Sequence, residues 1–110
     1  MAITPTIVEQ WRAGNMVEAV GTLAFTGNYT TNGVAVDFAA AGLRGGGIPV
    51  LVMVPAFKGH SFQYVAGTKA SDGKLVIHLT STGAELSAAA FPAALTGGGA
   101  IFECVFKFGL

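Results

Sequence analysis

Apolar and polar residues alternate along most of this chain with a period of two. At that period successive side chains of a β-strand change face. Over residues 17–25 the odd positions are Val17, Ala19, Gly21, Leu23 and Phe25, while Glu18 and Thr22 fall on the other face. Over residues 100–108, Phe102, Cys104, Phe106 and Phe108 oppose Ile101, Glu103, Val105 and Lys107. Two shorter runs behave alike: 60–66 groups Phe62 with Tyr64, and 74–80 groups Leu75, Ile77 and Leu79. The segment between them closes on Asp72 and Gly73, a strong turn pair, so the two runs predict a hairpin with a longer loop.

The remaining pattern fits the same class. Residues 6–12, with Ile7, Val8 and Trp11, are β-like, and 34–38 predict a short strand after turn signals at Gly27–Asn28 and Asn32–Gly33. Residues 48–57 are apolar on both faces. That pattern fits a strand buried on both sides, or one with a core side and an interface side; Pro49 and Pro55 lack an amide hydrogen, which places them at a strand end or on a sheet edge. An apolar edge left bare would aggregate, so a covering partner is expected there. Residues 81–99 are Ala-rich and interrupted by Pro92, which predicts a short strand or helical turn within a long connection. The fold expected is all-β: a small antiparallel β-sandwich, jelly-roll-like, of six to eight strands with little helix. No repeat or linker divides the chain, so 1–110 reads as one domain, with 1–12 as an N-terminal arm or an edge strand.

Composition sharpens this. Hydrophobic residues make up 52% of the 110, and only 11% are charged, less than half the ~25% of an ordinary domain. A domain of this size buries only about two-thirds of its chain's surface. Part of the exposed surface is therefore expected to be covered by other protein. The formal net charge is 0 and the six basic residues are scattered singly, which argues against nucleic acid and anionic membrane as partners. The ten-residue apolar run is too short for a membrane helix, which needs about 20. The first residues lack the pattern of a signal peptide, so synthesis in the cytosol is expected.

No constellation of residues points to catalysis, and no cofactor is expected. His60 and His78 could face each other across the hairpin, but no further ligand sits at metal spacing beside them, so both read as solvent-facing strand residues. Glu18 and Glu103 fall on polar strand faces, and Asp72 belongs to its turn. Cys104, the single cysteine, lies among phenylalanines, where a thiolate is disfavoured. No Gly-x-Ser-x-Gly elbow is present, and the triple glycine at 45–47 lacks the Lys-Ser or Lys-Thr of a phosphate loop.

Certain segments, taken in order, resemble a known group. They are GTLAFTGNYTTNGV at 21–34, the step Val36-Asp37-Phe38, the loop 67–73 with Lys74 and Leu75, GAELSAAAFPAAL at 83–95, and a closing β-strand. Over about residues 17–108 this resembles the small structural proteins of tailed bacteriophages, in particular capsid decoration or cement proteins. The resemblance implies a compact β-sandwich or jelly roll on the capsid exterior of the virion, bridging subunits of the major capsid protein as a homo-dimer or homo-trimer. It implies stabilisation of the head and no enzymatic activity. The competing expectations are a tail or fibre-associated β module and a small carbohydrate-binding sandwich, in which Trp11, Tyr29 or Tyr64 would stack on a sugar. The candidate protein-interface residues are Ile3, Ile7 and Trp11 at the N-terminus, Leu43 and Arg44 at the glycine-rich loop, and Phe91 and Pro92 in the long connection. Trp11 and Phe91 are the expected anchors, because aromatics dominate interface hot spots. For each, ordinary core packing is the competing reading.

Overall fold

The computed structural model describes residues 3–43, 47 and 49–107. In chain order the elements are β1 (Ile3–Ala13), β2 (Met16–Phe25), β3 (Val34–Val36), β4 (Pro49–Met53), β5 (His60–Val65), β6 (Gly73–Leu79), α1 (Ala93–Thr96) and β7 (Ala100–Lys107). They form two antiparallel sheets, one ordered β1-β2-β7-β4 and the other β3-β6-β5. The all-β expectation holds. A jelly roll has eight strands; the described strands number seven, four plus three, and do not reproduce that finer arrangement.

The period-two runs are the strands, and their apolar sets close the core. Val17, Ala19, Leu23 and Phe25 of β2 and Ala100, Phe102, Cys104 and Phe106 of β7 are all buried. Opposite them lie Leu75 and Ile77 of β6 and the half-buried Phe62 and Tyr64 of β5. Aromatic rings join the two sheets. Phe25 stacks on Phe62 at 5.8 Å between centroids. Phe38, just past β3, meets Phe102 edge-on at 5.0 Å and Tyr64 at 5.9 Å. Rings of this size dominate a small core through the area they remove from water, and tilted or edge-on pairs add a little beyond it.

The N-terminal segment is an edge strand, paired with β2 from Ile3↔Phe25 to Ala13↔Met16. The apolar run between prolines forms β4, an edge strand that among the described strands pairs with β7 alone. Each edge of the larger sheet carries a proline, Pro5 or Pro49, and a register break, between Ile7 and Glu9 in β1 and between Pro49 and Leu51 in β4. Prolines and bulges blunt an edge against adding a further strand. Gly21 makes the bulge in β1 possible: a Cβ there would lie 2.0 Å from the Thr6 carbonyl oxygen.

The hairpin β5–β6 has the expected loop, from Val65↔Lys74 outward, with Asp72 accepting from the Thr68 hydroxyl (2.6 Å) and the Lys69 amide (2.9 Å). Its register corrects one expectation. His60 pairs with Leu79, and His78 with Ser61. A one-residue offset puts the histidines on opposite faces. His60 is buried, with its Nδ1 3.0 Å from the Lys58 carbonyl, and His78 faces outward. They do not pair.

The long connection contains one helical turn, α1, which opens directly after Pro92. Pro92 suits that place because its ring fixes φ and its missing donor costs nothing in a first turn. The connection is tied down by Glu85. Its Oε2 accepts from the Tyr29 hydroxyl at 2.6 Å and from the Asn32 amide at 2.7 Å. Tyr29 in turn accepts from the Ile77 amide of β6 at 3.2 Å.

Candidate interaction face

The two faces of the four-stranded sheet differ in what they carry. One is the core; the other faces outward and is unusually apolar. Pairing sets its rows. Trp11, Glu18, Val105 and Leu51 lie side by side across β1, β2, β7 and β4. The next row is Glu9, Val20, Glu103 and Met53, and beyond it Thr6, Thr22 and Ile101. Side chains opposite one another in an antiparallel pair share a face, so this register fixes the pattern.

The apolar members are far from covered. Val8 is 71% exposed, Ile101 56%, Met53 50%, Leu51 46% and Trp11 41%. Val8 owes its position to the bulge: Ile7 pairs with Gly21 and Glu9 with Val20, leaving Val8 as the extra residue. Val8, Val20, Met53, Pro55 and Ile101 line a groove of about 320 Å³, with Glu103 at its side. Single exposed apolar residues are ordinary; several large ones on one face, three of them lining a groove, are not.

The first two rows form a checkerboard. The cross-strand neighbours of Glu18 are Trp11 and Val105; those of Glu103 are Val20 and Met53; that of Glu9 is Val20. No basic side chain stands opposite any of the three in the ladder. Lys107, in the row beyond Val105, is paired with Met16.

The sequence-derived interface candidates divide sharply. Trp11 is exposed on this face. Ile7 is half-buried against the core. Ile3, Leu43 and Phe91 are buried, so their apolar surface is used within the domain. Phe91 meets Phe25 at 5.4 Å and Tyr29 at 6.3 Å, which corrects its expected role as an exposed anchor. Pro92 is half-buried at the start of α1. Arg44 lies outside the described residues. Sequence reading missed Val8 and Ile101 as surface anchors. Alternation already put Ile101 opposite the phenylalanines of β7, a signal that was available; the bulge that exposes Val8 has no such signal.

The chemistry elsewhere is structural. Tyr29, one candidate for sugar stacking, is buried, and burial together with its bond to Glu85 pushes its hydroxyl up to about 12. Tyr64, another, packs on Phe38 with its hydroxyl buried, and burial raises it to about 12. The Cys104 thiol is buried and likewise pushed up to about 12, which removes its nucleophilic form at neutral pH. Among the described residues no group of three or more His, Cys, Asp or Glu could hold a metal ion. No described helix is long and apolar enough to cross a membrane.

Compared with protein-family models, with curated proteins and with solved structures, the chain finds no match.

Proposed function

We propose that this chain is a structural assembly module: a decoration or cement protein that binds the outside of a bacteriophage capsid lattice and stabilises the head. The observation that carries the reading is the outer face of the four-stranded sheet, where Val8, Ile101 and Met53 line a groove, Leu51 and Trp11 share the face, and all five are two-fifths or more exposed. A low charge and a formal net charge of 0 fit a domain that works against other protein. The prolines and bulges on both edges fit docking by a face, since they oppose strand addition. Many copies on one lattice make modest contacts add up. The resemblance of residues 17–108 to decoration proteins points the same way.

The test mixes the protein with expanded capsid shells built from the major capsid protein encoded in the same genome. Saturable binding at a lattice stoichiometry, with a higher melting temperature of the shell, is the expected result. Absence of saturable binding overturns the reading.

A further inference from the structure

Resting on the reading of the chain as a docking module, we infer that the outer face of β1-β2-β7-β4 takes a protein surface on which apolar side chains alternate with lysine or arginine. The groove beside Val8, Met53 and Ile101 calls for apolar cover. That cover cannot be purely apolar. Glu103 borders the groove, Glu9 stands in the same row across Val20, and Glu18 lies diagonal to both. A partner seated over the groove takes Glu103 out of water, and one broad enough to reach Trp11 covers Glu18 and Glu9 as well. A carboxylate withdrawn from water without a cation opposite is strongly destabilising. Among the described residues the ladder sets no cation directly opposite any of the three, whose cross-strand neighbours are all apolar, and Lys107 stands diagonal to Glu18 alone. The remaining cations come with the partner.

The same accounting disfavours a second copy as the occupant. Among the described residues each face carries three glutamates and one lysine, Lys107. Two such faces in contact would set six glutamates against two lysines, and like charges across an interface select against that pairing. Arginine suits the site best among cations, since its planar fork binds a carboxylate through two bonds and loses its hydration more readily than an ammonium.

Trp11 is the chain's single tryptophan and stands beside Glu18 on this face, so its fluorescence reports occupancy directly. The probe is a synthetic peptide of alternating leucine and arginine, titrated against the full chain, with a leucine–glutamate peptide of equal length as control. The expected result is a saturable change in Trp11 fluorescence with the basic peptide only. Binding should weaken about tenfold or more in Glu18→Gln/Glu103→Gln, and weaken again as salt rises from about 50 to about 500 mM. Val65→Ser, at an exposed position on the other sheet, should bind as the wild type does. An equal response to both peptides, or unchanged affinity in the double variant, overturns the inference. So does a stable dimer in sedimentation that Met53→Lys dissociates, because the occupant would then be a second copy. The two proposals fail separately. Capsid shells that do not bind remove the decoration reading while the peptide response stands. Shells that bind the double variant as tightly as wild type remove this inference and leave decoration intact.

Discussion

Tyr29 donates its hydroxyl hydrogen to Glu85, 56 residues further along the chain, at 2.6 Å. The same hydroxyl accepts from the Ile77 amide, and the same carboxylate oxygen accepts from the Asn32 amide. Three segments thus meet on two side chains: the loop after β2, the strand β6 and the long connection before α1. Asn32 holds a positive φ of 73°, a conformation that asparagine tolerates better than most residues. Its amide is thereby aimed at Glu85.

Tyr29→Phe tests this junction. The ring still packs against Phe91, but the Ile77 amide loses its acceptor and Glu85 loses a donor. A loss of about 1–3 kcal/mol in folding stability is expected, measured by denaturant unfolding. Unchanged stability would mean that water replaces both bonds at no cost.

Acid should loosen the fold through two carboxylates. The Tyr29 hydroxyl, followed by the Asn32 amide, holds Glu85 below the usual carboxylate range, and the Thr68 hydroxyl and Lys69 amide do the same for Asp72. A group whose folded pKa is depressed contributes stability above its unfolded value and loses it as pH falls through the folded one. The melting temperature should therefore hold from pH 7 down to about 5 and fall below about pH 4. Glu85→Gln should lower it at pH 7 and flatten the decline. An equally steep decline in Glu85→Gln would assign the acid response to other groups.

Gly21→Ala probes the close approach of β1 to β2. The added methyl would meet the Thr6 carbonyl, which belongs to backbone and cannot swing away. A cost of about 1–3 kcal/mol is expected, as for an overpacked core position. Thr22→Ala, one residue on and exposed, should stay within about 0.5 kcal/mol. The two melting temperatures side by side decide the matter.

Cys104 should be inert in the folded protein. It is fully buried and its thiol is pushed up to about 12 by burial. A thiol reagent at pH 8 should label it only as fast as the chain opens, and promptly in denaturant. Fast labelling of the native protein would contradict the packing of β7 against β2.

Alternation alone determined the strands. The inward sets of β2, β6 and β7 were legible because a half-buried strand repeats every two residues, and that repeat survives in the sequence whatever the strand pairs with. The prolines narrowed β4 to a strand end or a sheet edge, since a proline cannot donate to a ladder, and only the sheet order chose the edge. Neighbours in space were not legible. Nothing local in residues 49–53 says that they lie beside β7, or that Glu85 reaches Tyr29. Those partners are set by how the whole apolar surface closes. The histidines show the cost of a single residue of register: one step separates a facing pair from the buried His60 and outward His78 found here. Phe91 and Ile101 show the same limit from the other side. Both are large apolar residues in a chain rich in them. Alternation already set Ile101 against the phenylalanines of β7, but only the tertiary structure buried Phe91 against Phe25 and left Ile101 beside an open groove, because burial depends on which surfaces meet and alternation records only which side chains share a face.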